Sequence, residues 1–72
     1  MVTRLGFDED SKLGIFSIGS TDDITNLPTL NTSGKGEAEL FEPVCPQSYA
    51  LLNDGTGDRY VLSDNNTWVK EG

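Results

Sequence analysis

The sequence predicts a mainly β protein: a small antiparallel meander of about four or five short strands, with at most one short helical turn near residues 21–27. Two observations predict this class. Short apolar runs rich in β-branched and aromatic residues are bounded by turn-forming residues, and the last third of the chain alternates between apolar and polar positions. A length of 72 residues leaves room for one domain.

The N-terminal segment, residues 1–13, is predicted to be an arm or docking segment, and residues 14–72 are predicted to form the small β domain. Apolar side chains of the segment would make the contact, namely Val2, Leu5 and Phe7. The same pattern is compatible with a short strand. The acidic cluster that follows, residues 8–10, is typical of a solvated turn.

Residues 13–19 are a short apolar run bounded by turn formers, which predicts a strand. Ser20 or Thr21 can then cap a helical turn, and acidic residues follow in its first turn. Pro28 disfavours helical geometry at Leu27, so the turn must be short.

Residues 29–36 are polar and contain glycine, which predicts an exposed loop. Residues 37–42 alternate imperfectly and predict a strand at a sheet edge. Pro43 and Pro46 exclude a regular central strand immediately afterwards.

Three further strands are predicted at residues 48–52, 59–62 and 67–70. Because side chains of a strand alternate between its two faces, each strand contributes to two groups. The predicted core group is Leu27 (as a lid), Ala50, Leu52, Tyr60, Leu62 and Trp68. The group on the opposite face, predicted to form the contact between subunits, is Tyr49, Leu51, Val61 and Val69.

If both faces of one thin sheet are partly apolar, each face needs a packed layer that shields it from water. A chain of this size buries only about 60% of the surface that its unfolded form exposes. We therefore expect the fold to be completed by oligomerisation.

The residues needed for common active sites and metal sites are missing. The sequence has one cysteine, Cys45, and no histidine. This excludes an intramolecular disulfide and the usual structural zinc site, and it leaves the thiol without an activating imidazole. We expect no enzyme activity, no metal and no cofactor.

Charge argues against nucleic acid and membranes as partners. Twelve acidic and five basic residues give a net charge of −7, and the basic residues are scattered singly along the chain. Nucleic-acid binders and proteins of anionic membranes instead cluster their Lys and Arg. No apolar run reaches the length of a signal peptide or a membrane span. We therefore expect synthesis in the cytoplasm.

A set of core and turn residues resembles a module of bacteriophage structural proteins, found in head fibres, small capsid-associated proteins and the attachment regions of tail fibres. The matching residues are Ile18-Gly19-Ser20-Thr21-Asp22-Asp23-Ile24, Leu27-Pro28-Thr29, Ser48-x-Ala50-x-Leu52, Gly57-x-x-Tyr60-x-Leu62 and Trp68. The resemblance covers roughly residues 18–70. Ile24 stands where Leu is usual, and Gln47 stands where Gly would open a strand.

This resemblance implies a virion structural protein of a tailed phage, a head-associated decoration, head-fibre or connector protein. It implies assembly with copies of itself, a trimer being favoured, and with other virion proteins such as the major capsid protein. Two other classes stay open from the residues alone. The charge and small size are compatible with an acidic inhibitor that mimics DNA, and Trp68 with Tyr49 is compatible with a small carbohydrate-binding module.

Overall fold

A computed structural model describes residues 1–36 and 39–71. It confirms a mainly β fold with one short helical turn. The elements in chain order are β1 (Val2–Asp8), β2 (Leu13–Ile18), a 3-10 turn (Thr21–Asn26), β3 (Gly34–Lys35), β4 (Leu40–Phe41), β5 (Tyr49–Leu52), β6 (Arg59–Leu62) and β7 (Trp68–Glu71).

The main sheet has five strands in the order β1-β2-β5-β6-β7, and β3 pairs with β4 in a separate two-stranded sheet. The predicted antiparallel meander describes β5, β6 and β7, which pair in sequence. The pairing of β2 with β5 is parallel, so the sheet is mixed. Parallel neighbours need a long crossover, and residues 19–48 provide it.

The segment predicted as a docking arm forms the edge strand β1, which pairs antiparallel with β2 from Val2↔Ile18 to Asp8↔Leu13. The register shifts between Arg4 and Gly6, so Leu5 is the extra residue of a β-bulge. Val2 is buried, which ties the start of the chain to the core. Within the chain, β1 is thus a part of the sheet.

The core lies on one side of the main sheet, under the 3-10 turn and the crossover. Phe16 is at its centre: its ring contacts that of Phe41 at a centroid distance of 5.6 Å and meets Trp68 edge-on at 6.3 Å. The buried apolar residues are Val2, Phe16, Ile18, Leu27, Phe41, Val44, Ala50, Leu52, Leu62 and Trp68.

Hydrogen bonds at both ends fix the position of the 3-10 turn. Asp23 accepts the backbone N–H groups of Gly19 and Ser20 at 3.0 and 3.2 Å, and the turn ends where the Leu27 N–H reaches the Ile24 carbonyl. Pro28 follows, as the sequence predicts. Leu27 is thereby buried over the core.

The predicted strands and loops agree with the structure to within one or two residues in the C-terminal half. Of the predicted strand over residues 37–42, residues 40 and 41 form β4, while Glu37 and Ala38 lie outside the described residues. The loop predicted over residues 29–36 contains the short strand β3.

Candidate interaction surface

One face of the main sheet packs on the core, and the other, which we call the outer face, is open to solvent. Ala50, Leu52 and Leu62 on the core side are at most 5% exposed, whereas Leu51 and Val69 on the outer face are 40% and 43% exposed. The side chains that β2, β5, β6 and β7 direct to the outer face are Leu13, Ile15, Ser17, Tyr49, Leu51, Arg59, Val61, Val69 and Glu71.

An apolar row crosses the outer face at right angles to the strands. Ile15 pairs with Tyr49, Tyr49 with Val61, and Val61 with Val69, so four neighbouring strands each contribute one apolar side chain at the same level. Side chains directly opposite on adjacent strands contact one another. The half-burial of Ile15, Tyr49 and Val61 follows from these lateral contacts.

The row ends at β1 in a hollow. Because Leu5 is taken up by the bulge, the residue opposite Ile15 is Gly6, which has no side chain to continue the row. The open cavity there has a volume of 360 Å³. The residues around this Gly6 hollow include Asp8, Leu13, Ile15, Gln47 and Tyr49.

A second row, parallel to the first, carries the charges that β6 and β7 direct to the outer face; on β1, Asp8 is opposite Leu13 and lies beside the Gly6 hollow. The second row reads Thr3, Ser17, Leu51, Arg59 and Glu71 from β1 to β7. Arg59 and Glu71 form an ion pair, and the Arg59 guanidinium also lies over the Tyr49 ring at 5.3 Å. The two charges cancel, so β2, β5, β6 and β7 together direct no net charge to the outer face. The whole chain, by contrast, has a net charge of −7.

The structure brings the predicted inter-subunit residues together. Tyr49, Val61 and Val69 are consecutive members of the apolar row, and Leu51 lies in the second row beside them. Ile15 belongs with them although sequence reasoning did not assign it. Its alternation with Phe16 along β2 was the available signal.

The predicted core residues lie on the other side of the sheet. Leu27, Ala50, Leu52, Leu62 and Trp68 are buried, and Tyr60 is half-buried against the same cluster. Of the predicted arm residues, Val2 is in the core, Phe7 packs against it and Leu5 is 56% exposed at the bulge.

Trp68 and Tyr49 do not form a common platform. Trp68 faces the core and is 9% exposed, and its indole Nε1–H donates to the Pro28 carbonyl at 2.9 Å. Tyr49 lies on the opposite face of the sheet. The hypothesis of a carbohydrate-binding module depends on these two aromatic residues, and they lie on opposite sides of the sheet.

Polar groups elsewhere in the described chain are engaged in local structure. Hydrogen bonds from the hydroxyl and the backbone N–H of Thr56 lower the pKa of Asp54, and the backbone N–H groups of Asp10 and Ser11 lower the pKa of Asp8. Within residues 1–36 and 39–71, no three His, Cys, Asp or Glu side chains lie close enough to hold a metal ion together. Cys45 is half-buried.

Among the residues that the structure describes, Asp23 is the one buried carboxylate, at 8% exposure. It accepts a hydrogen bond from the N-terminal ammonium at 2.5 Å besides the two backbone N–H groups at the start of the 3-10 turn. These hydrogen bonds, that of the ammonium foremost, lower the pKa of Asp23. The group fastens the start of β1 to the turn that covers the core, so its role is structural.

No protein-family description, no curated protein and no solved structure matches this chain. No helix in the part of the chain that the structure describes is long and apolar enough to cross a membrane. The fold and the surface define a class nonetheless: a small mainly β protein whose sheet buries one face and leaves an apolar row exposed on the other.

Proposed function

We propose that this chain is a structural component of a tailed-phage virion: a head-associated decoration, head-fibre or connector protein. It would act by assembly with other proteins and not by catalysis. The observation that supports this is the apolar row from Ile15 to Val69 on the outer face. The antiparallel strands β5, β6 and β7 would commonly carry polar residues on a face that met only water.

Charge distribution supports assembly in the same way. The chain has a net charge of −7, yet the charges that β2, β5, β6 and β7 direct to the outer face are the paired Arg59 and Glu71. Depletion of unpaired charge is typical of the buried centre of a protein interface. The acidic residues at the β1–β2 turn and in the loops keep the remaining surface soluble.

The resemblance to phage structural modules adds the setting. The residues that carry it include Leu27, Leu52, Leu62 and Trp68, all of which are buried. Proteins with such a module are often trimeric and attached to a shell or fibre. On this basis we propose copies of the same chain, a trimer being favoured, and virion proteins such as the major capsid protein as partners.

The edge strand β1 is the proposed contact with a neighbouring virion protein. It is one of the two edges of the main sheet, and Leu5 projects from its bulge at 56% exposure. An edge strand offers unpaired backbone groups to a strand of another protein.

The test is to search for the protein in virus particles purified from the natural source, by mass spectrometry of the particle proteins. The proposal predicts a fixed copy number that survives washing in high salt. A protein that is absent from particles and binds a nuclease or DNA-binding protein tightly at low salt would favour the acidic inhibitor instead.

A further inference from the structure

We infer that two copies of this chain pack with their outer faces against each other, around a two-fold axis parallel to the strands. In this arrangement Val69 of each copy contacts the Gly6 hollow of the other copy. The outer face is therefore complementary to itself. This inference rests on the self-assembly proposed above and specifies its geometry. It differs from the trimer that the resemblance implies.

The order of the strands in the main sheet supports this arrangement. The apolar row has five positions, Gly6, Ile15, Tyr49, Val61 and Val69, one on each strand from β1 to β7. Strands lie about 4.8 Å apart, so the row is roughly 19 Å long with Tyr49 at its centre. One end is the hollow, and the other is the exposed side chain of Val69.

A two-fold axis along the strands and through the centre of the row reverses the strand order in the second copy. The β1 edge of one copy then lies over the β7 edge of the other, and the two Tyr49 rings meet at the axis. Val69 is placed over the Gly6 hollow, and Ile15 over Val61 of the second copy. Such an isologous contact makes each of these pairings twice.

The second row is compatible with the same axis. Arg59 comes to lie over Ser17 of the second copy, and Glu71 over Thr3 of the second copy. Charges therefore meet hydroxyl groups, and no like charges are directly opposed. A two-fold axis perpendicular to the strands would instead stack hollow on hollow and Val69 on Val69, which leaves an empty space at one end and crowding at the other.

The size of the face agrees with a second copy as the occupant. The Cα atoms extend over 32 × 29 × 18 Å, and the shortest extent accommodates the sheet and one covering layer, because packed layers lie about 10 Å apart. A stable interface buries about 800 Å² per partner, which is about a fifth of the chain's 4386 Å². That area requires most of one broad face, and a second sheet of the same size supplies it.

The first experiment uses native mass spectrometry and light scattering. The unmodified chain should have twice the monomer mass. Gly6→Leu should fill the hollow and Val69→Lys should remove the inserted side chain, each weakening the dimer at least tenfold. Leu40→Lys is the matched control, since Leu40 is 74% exposed on β4, away from the outer face, and it should leave the dimer unchanged.

Folding of the variants is checked by circular dichroism. A Cβ at Gly6 meets only the Ile15 Cδ1 atom, at an ordinary 3.9 Å, so Gly6→Leu should fold as the parent does. A dimer that persists in folded Gly6→Leu would overturn the inference.

The second experiment identifies the axis. In a Cys45→Ser background, Gly6→Cys and Val69→Cys are made in separate chains, mixed, and treated with a short thiol-to-thiol cross-linker. The inference predicts a covalent dimer from the mixture and none from either variant alone. Cross-linking within one variant alone, or a trimeric mass, would overturn the two-fold arrangement and leave assembly standing. A monomer at every concentration would overturn the two-fold arrangement and the self-association on which it rests, while the search of purified particles would still decide attachment to other virion proteins.

Discussion

The contact between Trp68 and Pro28 holds the crossover onto the sheet, and replacing Trp68 by Phe should measure its strength. The substitution removes the indole N–H that donates to the Pro28 carbonyl at 2.9 Å, and it also removes one ring from a side chain that is 9% exposed. A buried carbonyl left without a donor costs about 1–3 kcal/mol. The lost packing, including part of the edge contact with Phe16, adds about 1–2 kcal/mol.

A total of roughly 2–5 kcal/mol is large for this chain. At about 0.05–0.15 kcal/mol per residue, a protein of 72 residues has a free energy of unfolding of about 4–11 kcal/mol. The Trp68→Phe variant should therefore lose several tenths of the total. At about 4–8 °C per kcal/mol for a domain of this size, its melting temperature should fall by about 8–40 °C.

The assay is urea and thermal unfolding followed by far-ultraviolet circular dichroism, at several protein concentrations because self-association would add to apparent stability. Tyr60→Phe is the control: it also removes a polar group from a half-buried aromatic residue at the core, and it should change the free energy by less than about 0.5 kcal/mol. If Trp68→Phe lowers the free energy of unfolding by no more than Tyr60→Phe does, the contact between Trp68 and Pro28 does not hold the crossover on the sheet.

Two further predictions concern the same covering layer. A Cβ at Gly34 would lie 2.4 Å from Pro28 Cδ and 2.6 Å from Pro28 N. Gly34→Ala should therefore lower the free energy of unfolding, measured in urea, by at least about 2 kcal/mol. Gly6→Ala is the control: there is room for its Cβ, so it should lower that free energy by less than about 1 kcal/mol. The lowered pKa of Asp23 stabilises the fold above the unfolded pKa of about 3.9, and this contribution is lost as pH falls through the lower, folded pKa. Asp23→Asn should therefore lower the free energy of unfolding at pH 7, and below about pH 5 that free energy should depend less steeply on pH than in the parent. Equal slopes of the free energy of unfolding against pH for the parent and Asp23→Asn would contradict this prediction.

Local patterns in the sequence were enough to find most elements of the fold. Alternation separated Ala50 and Leu52 from Tyr49 and Leu51, and the structure places these pairs on opposite faces of β5. Turn chemistry also carried information: Asn66 has a positive φ of 64° in the hairpin between β6 and β7, as Asn tolerates.

The parallel pairing of β2 with β5 could not be read from the sequence, because strands separated by a long crossover leave no local signal of their pairing. The bulge at Leu5 was missed for a similar reason: it depends on the register between β1 and β2. These two features create the full apolar row and its hollow. Sequence reasoning therefore found the members of the face on β5 to β7 and missed Ile15 and Gly6.

One chain leaves the outer face of the sheet open, and we propose that another protein chain closes it, most directly a copy of itself. The most direct measurement is the mass of the purified protein by sedimentation equilibrium over a wide range of concentrations, for the parent and for Val69→Lys. Self-association through the outer face predicts a parent heavier than one chain of 7.8 kDa and a variant shifted toward the mass of a single chain. A parent that stays at the mass of one chain throughout would contradict self-association.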